Sequence, residues 1–179
     1  LSPHNAFSGA AKGVHELSDL IVEAIIEIPG GSQNKYEYDK ERGFLRLDRV
    51  LYSPVHYPTD YGYVPETLEE DGDPIDILVL VTNPTFPGCI IDSRVVGVLA
   101  MRDDKGVDNK LLAVPVKDPR FSHVGDLPDV PNHVLREIEH FFRTYKDLEG
   151  KESITMGWKS ADEAARIFAK AQAAYQPVA

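Results

Sequence analysis

Six consecutive residues, Asp71-Gly72-Asp73-Pro74-Ile75-Asp76, put three carboxylates in one short segment, and Glu69 and Glu70 come just before them. Carboxylates this close repel one another and raise each other's pKa. A divalent cation removes that penalty, and hard cations such as Mg²⁺ take carboxylate oxygens by preference. Gly72 lets the backbone turn and Pro74 fixes φ, so the acids sit on a stiff segment. Asp71 and Asp73, two apart in an extended chain, point to one side. The segment runs straight into an apolar strand, Ile77-Leu78-Val79-Leu80-Val81. These residue types predict a Mg²⁺ site on a rigid turn at the mouth of a buried strand. The plain alternative is a solvated acidic turn. An EF-hand is a poor match, since it needs Gly at the sixth position and Glu at the twelfth, where this chain has Asp76 and Thr82. Phosphotransferases with an Asp-x-Asp nucleophile place it after an apolar strand, whereas here the strand follows the acids. A glycosyltransferase-type Asp-x-Asp site for a metal-bound sugar nucleotide is a weaker alternative.

Other polar residues stand on strands and turns that could face this cluster. Glu27 and Glu37 lie on early strands, with Lys35 on the same face as Glu37; Arg49 ends a strand. Asp103, Asp104, Asp108 and Lys110 crowd one loop, and Tyr145 and Lys146 fall late on a helix. Brought together, the acids would hold several metal ions and the bases an anion, a combination that fits a phosphate-rich substrate. Taken singly, Lys35 and Lys146 read as solvated lysines, Tyr145 as helix packing and the Asp103 loop as a hairpin turn. Spacing alone does not prove convergence.

The elements that must position these groups follow from periodicity. Residues 1–14 read as a loosely held tail. Strands are expected over Leu20 to Ile28, Lys35 to Tyr38, Phe44 to Val50, the apolar run after the acids, Cys89 to Met101 and Lys110 to Val116. Residues 52–66, with four tyrosines and three prolines, read as an irregular aromatic wall, and Arg102 to Asn109 as a charged loop. From Asp129 the period changes: Val134, Leu135, Ile138, Phe141, Phe142, Tyr145 and Leu148 recur at three and four, one face of a helix opened near Pro131 and ended at Gly150. A short strand, Glu152 to Trp158, precedes a capping box, Ser160-Ala161-Asp162-Glu163, that opens a second helix to about Tyr175. Many short strands followed by two helices predict an α+β fold, a small β-barrel with helices packed outside.

The 179 residues suit a single domain, 1–179, and their 42% apolar and 27% charged content is an ordinary globular balance. A net charge of −10, from 29 acids against 19 bases, argues against a nucleic-acid partner. The single cysteine, Cys89, reads as a small core residue and is compatible with a reducing cytoplasm. No apolar run reaches the length of a membrane span, and no signal-peptide pattern opens the chain, so a cytoplasmic protein without a membrane partner is expected.

The acid segment resembles the signature of the family I soluble inorganic pyrophosphatases, short prokaryotic type. Further blocks are similar to that family in the same order: Ile26-Glu27-Ile28-Pro29, Lys35-Tyr36-Glu37, Asp48-Arg49, Tyr57-Pro58 with Asp60-Tyr61-Gly62-Tyr63, Asp103 with Asp108 and Lys110, and Phe141-Phe142 with Tyr145-Lys146-Asp147. The resemblance implies a five-stranded OB-like barrel with two flanking helices and extra short strands. It also implies hydrolysis of pyrophosphate to two orthophosphates with several Mg²⁺ ions, for which Mn²⁺ or Zn²⁺ could substitute. By the same resemblance Asp71, Asp76 and Asp108 ligate one metal, Asp76 bridges to a second, Asp103 with Asp108 holds a third and Glu37 a fourth, while Glu27 acts through water. Lys35, Arg49, Lys110, Tyr145 and Lys146 correspond to phosphate ligands. Asp73 corresponds to the general base, and Tyr61 to a residue that lines the site and positions that base. A homo-oligomer, a hexamer, is implied as well, with His140 on a helix that family members use at subunit contacts, although Thr144 stands where a second histidine can occur. Two rivals remain: an OB-like binding module with an incidental acid patch, and another metal-dependent phosphohydrolase acting on nucleotides or monoesters.

Overall fold

The computed structural model describes residues 20–39 and 41–176; the tail expected over residues 1–14 lies outside them. Alternation builds the first strand. In β1 (Ile21–Ile28) Val22, Ala24, Ile26 and Ile28 are buried while the intervening residues are more exposed, the two-residue period of a half-buried strand. The remaining strands are β2 (Asn34–Asp39), β3 (Phe44–Val50), β4 (Asp60–Tyr63), β5 (Asp76–Val79), β6 (Ile90–Asp103), β7 (Gly106–Val107), β8 (Lys110–Pro115) and β9 (Ser153–Lys159). The helices are α1 (Asn132–Thr144) and α2 (Ala161–Ala174).

Seven strands form one mixed sheet in the order β1-β4-β5-β8-β6-β7, with β9 paired to β6 and a further pairing between β1 and β6. β2 and β3 make a separate antiparallel ribbon. The expected α+β class with two helices stands, but the five-stranded OB-like barrel is corrected: β1, β4, β5, β8 and β6 pair in succession with β1 back against β6, β7 and β9 extend this to a seven-stranded mixed sheet, and the β2–β3 ribbon stands apart. The physical reason is β6. At 14 residues it is long enough to pair with β1, β8, β7 and β9 along its length, so segments read as extra strands or loop join the main sheet. Two further differences concern local structure. Asp60–Tyr63, inside the supposed irregular wall, is strand β4, and the charged loop Arg102 to Asn109 contains the end of β6 and the short β7.

The two faces of the sheet carry separate cores. On one, Leu135, Ile138, Phe141 and Phe142 of α1 pack with Tyr57, Tyr61, Leu99 and Met101. Phe141 lies 4.8 Å from Tyr57 and 5.2 Å from Tyr145 between ring centroids, within the range of favourable aromatic pairs. Full burial of a side chain such as Phe142 contributes about 1.5–3 kcal/mol. On the other face α2 lies against β6 and buries Ala161, Ala164 and Ala171, with Ile167 and Phe168 packed around them. Cys89 packs partly buried at the edge of this second core. Ser160 caps α2 by accepting a bond from the Glu163 N–H at 3.4 Å, as its sequence position predicts.

α1 is shorter than expected. It stops at Thr144, and a 3₁₀ turn over Asp147–Glu149 closes at Gly150, whose φ of 67° is the left-handed conformation that favours glycine. Leu148, expected on the buried face, is therefore 66% exposed. Lys146 stands just before this 3₁₀ turn, and its ammonium meets Asp103, 2.8 Å away.

Candidate active site

A parallel pair of strands sets the floor of the site. β5 and β8 run side by side with Asp76 opposite Lys110 at their first residues, so an acid and a base emerge together at the start of a buried strand pair. Lys110 Nζ donates to both Asp76 Oδ2 and Asp108 Oδ1, and the Tyr61 hydroxyl, from β4, donates to Asp76 Oδ2. The ammonium lies 5.8 Å from the Tyr61 ring centroid and 5.7 Å from that of Phe142, close enough for cation–π attraction. Burial pushes the Asp76 carboxyl up, against the pull of Lys110; burial would lower the Lys110 pKa, but Asp76 and Asp108 hold it well above the ordinary lysine value.

The turn before β5 supplies the next acids. Gly72 has a φ of 92°, which only glycine adopts without strain, and this lets the Asp73 N–H fold back onto Asp71 Oδ1 at 3.0 Å. Burial raises the Asp71 carboxyl, and the nearby Asp108 and Asp73 raise it further, while the Asp73 N–H lowers it. The ribbon forms one wall. Lys35 bonds Glu37, and Glu27 reaches from β1 to accept from the Tyr38 N–H at 2.7 Å. Burial drives the Glu27 carboxyl up to about 7. On the opposite wall Lys146 pairs with Asp103; although burial raises Asp103, the lysine and the Lys105 N–H bring its carboxyl below the ordinary range. Tyr145 is buried among Phe141 and Phe142, and that burial raises its hydroxyl pKa.

Glu27, Lys35, Glu37, Arg49, Tyr61, Asp71, Asp73, Asp76, Asp103, Asp108, Lys110, Tyr145 and Lys146 all line one cleft of about 290 Å³. Tyr36, Tyr38, Tyr63, Pro74, Asp104, Lys105 and Lys151 complete its wall. Three sets of contacts escaped the sequence reading. Glu149, only 5% exposed, accepts from Arg49 Nε at 2.8 Å and aims the guanidinium; Asp48 binds the same group and also faces Lys35 at 3.7 Å. Glu69 meets Asn109 beside the cleft. No local spacing signals a contact such as Arg49–Glu149 across 100 positions.

Charge decides what such a cleft can hold. As the side chains stand, Lys110 is shared between Asp76 and Asp108 and Lys146 pairs with Asp103, which leaves one negative charge over, and among the described residues no three acids already surround a common point as a closed metal cage. Asp71 and Asp73, by contrast, face the cleft and form no ion pair among the described residues. Their oxygens, with those of Asp76 and Asp108, are an all-carboxylate donor set, the chemistry that hard divalent cations prefer. The residues therefore fit Mg²⁺. On the exposed face of α1, His133 approaches Glu137 at 3.6 Å, and neither lines this cleft.

Known proteins match this chain over most of its length. A family model described as inorganic pyrophosphatase matches residues 24–176. The inorganic pyrophosphatase of Halalkalibacterium halodurans is 57% identical over 156 residues, covering 87% of this chain and 96% of that one; that of Geobacillus stearothermophilus is 58% identical over 155 residues, covering 87% and 94%. The crystal structure of inorganic pyrophosphatase from Thermus thermophilus superposes with a TM-score of 0.85 at 46% identity, covering 92% of this chain and 96% of that chain. Among the described residues no helix is long and apolar enough to cross a membrane. The chain belongs to the inorganic pyrophosphatase family, the soluble family I hydrolases that split pyrophosphate into orthophosphate.

Proposed function

We propose that the cleft hydrolyses pyrophosphate with Mg²⁺ held by Asp71, Asp76 and Asp108, further ions by Asp103 and Glu37, and Glu27 acting through water. The convergence of thirteen chemically suited side chains on one cleft carries this reading. Bound Mg²⁺ supplies Lewis acidity toward phosphoryl oxygens and lowers the pKa of water toward neutrality. The chain's own groups do the rest. Lys35, Arg49, Lys110 and Lys146, with the Tyr145 hydroxyl, bind the phosphoryl oxygens and offset charge that builds on the departing phosphate. Glu149 and Asp48 hold the Arg49 fork in place for this task. Asp73, on the cleft wall and without an ion pair among the described residues, accepts the proton of the attacking water, and Tyr61 holds the neighbouring Asp76 by its hydroxyl.

Size and lining favour a small anion. Pockets for drug-sized molecules are mostly apolar and about 300–1,000 Å³, whereas this one is near the lower limit and lined chiefly by charged groups and tyrosines. Phosphate release from pyrophosphate, ATP and a simple monoester separates the reading from its rivals. Mg²⁺-dependent release from pyrophosphate, with little from ATP, is expected. Efficient hydrolysis of ATP or monoester with pyrophosphate untouched contradicts the proposal, and no release from any of the three favours a binding module.

The chain also assembles with itself in this proposal, as a hexamer. Apolar side chains that a lone chain leaves in water, among them Phe44, Phe86 and Ile90, support association. Light scattering after size exclusion at micromolar concentration should give a mass several times that of one chain; a mass near 19.9 kDa contradicts it.

A further inference from the structure

One side chain ties the turn of Asp71 and Asp73 to the segment of Asp108 and Lys110. Glu69 opens that turn: its N–H donates to the Asp73 carbonyl at 2.8 Å, and its carbonyl accepts from the Gly72 N–H at 3.1 Å. Its carboxylate then reaches across to the second segment. Oε2 accepts from the Asn109 backbone N–H at 3.0 Å, and Oε1 accepts from Asn109 Nδ2 at 2.8 Å. Asn109 is buried and lies between Asp108 and Lys110. Two parallel bonds to a planar carboxylate fix orientation as well as distance.

The bonded N–H belongs to the peptide that joins Asp108 to Asn109, so holding it fixes the backbone from which the Asp108 side chain projects. The β5–β8 pairing begins only at Asp76 and Lys110, beyond both Asp71 and Asp108. Glu69 itself does not line the cleft, and its neighbour Glu70 turns outward to Lys170 of α2 at 3.1 Å. Three acids in a row, Glu69, Glu70 and Asp71, thus have three different partners.

We infer that Glu69, through Asn109, is a positioning residue that sets Asp71 and Asp108 at the separation needed to share one divalent ion. The inference rests on the proposed assignment of Asp71 and Asp108 as ligands. Groups that orient ligands typically change metal affinity by about 10–100-fold when removed.

Calorimetric titration of Mg²⁺ into metal-free protein tests it without reference to turnover, with thermal melts alongside. Glu69→Gln places an amide NH₂ where Asn109 also offers donors, and should weaken the tightest Mg²⁺ binding about tenfold. Asn109→Ala keeps every charge and the backbone N–H but loses one bond, and should weaken it about threefold. Glu70→Gln makes the same charge change one residue away and should leave affinity unaltered. The Glu69→Gln, Asn109→Ala double variant should be no weaker than Glu69→Gln alone. Equal weakening by Glu69→Gln and Glu70→Gln would show a bare charge effect and overturn the inference. So would unchanged affinity in Glu69→Gln while Asp108→Asn is weakened. If Glu69→Gln fails to fold, unchanged affinity in Asn109→Ala overturns it. Unchanged affinity in Asp108→Asn instead overturns the ligand assignment beneath it.

Discussion

Asp73→Asn is expected to lower kcat by about 10²–10⁴, or about 3–5 kcal/mol of barrier, with Mg²⁺ and pyrophosphate binding nearly unchanged. The turn does not depend on the Asp73 carboxylate for its shape. It is held by the Asp73 backbone, whose N–H meets Asp71 and whose carbonyl meets the Glu69 N–H. Asparagine keeps the size and can still hydrogen-bond, but it cannot accept a proton near neutrality. The deficit should shrink as pH rises, because hydroxide then forms with less need of a base. Asp76→Asn should behave differently. It removes the negative charge that Lys110 and Tyr61 address, so weaker Mg²⁺ binding, partly restored by excess Mg²⁺, is the expected pattern. Measuring kcat against pH and Mg²⁺ affinity for both variants checks the assignment. Rescue of Asp73→Asn by excess Mg²⁺, without rescue of Asp76→Asn, would mean that the two roles are reversed.

Gly62→Ala should be among the most destabilising single changes in the chain. Gly62 pairs with Ile26 across β1 and β4, and a methyl group there would lie 1.8 Å from the Ile25 carbonyl oxygen and 2.7 Å from its carbon. Both are backbone atoms, so no side chain can swing aside and the strands must part. Forced overpacking usually costs about 1–3 kcal/mol, and loss of adjacent ladder bonds brings the expected total to about 3–5 kcal/mol. Activity should fall as well, since Tyr61 precedes Gly62 and would be carried away from Asp76. Urea denaturation followed by the intrinsic fluorescence of Trp158 reads the change in midpoint; a midpoint equal to wild type would show that the strands can yield freely.

Much of this architecture was legible because single residues obey simple periods. Val22, Ala24, Ile26 and Ile28 alternate, and Leu135, Ile138, Phe141 and Phe142 recur at helical spacing; both patterns are buried as expected. Leu148 misled for a physical reason. It continues the helical period past Thr144, where the chain has already tightened into a 3₁₀ turn and the residue faces water. Strand β4 was hidden because Asp60-Tyr61-Gly62-Tyr63 is short and lies among prolines, and β7 has only two residues. The sheet was misjudged because nothing in the composition of β6 announces how many partners a 14-residue strand will recruit.

The cleft was legible in a different way. The acids of residues 71–76 stand out by density alone, but Lys35, Arg49 and Lys146 carry no local mark, and only the ordered resemblance of several blocks joined them. Partners that act on other side chains were out of reach. Glu149 looks like a surface acid at the end of a helix and instead aims Arg49; Glu69 looks like one more acid of the cluster and instead grips Asn109. Such contacts depend on which segments the sheet lays side by side.

If the acid-lined cleft is a divalent-metal site, a bound ion should be visible among its carboxylates. Diffraction at the manganese edge from crystals grown with Mn²⁺ tests it most directly, because the anomalous signal marks the ion independently of turnover. A peak bounded by Asp71, Asp76 and Asp108 is expected, with Lys110 released from at least one of the two carboxylates it now joins. A cleft without a peak, with Asp76 and Asp108 still closed on Lys110 at saturating Mn²⁺, would contradict it.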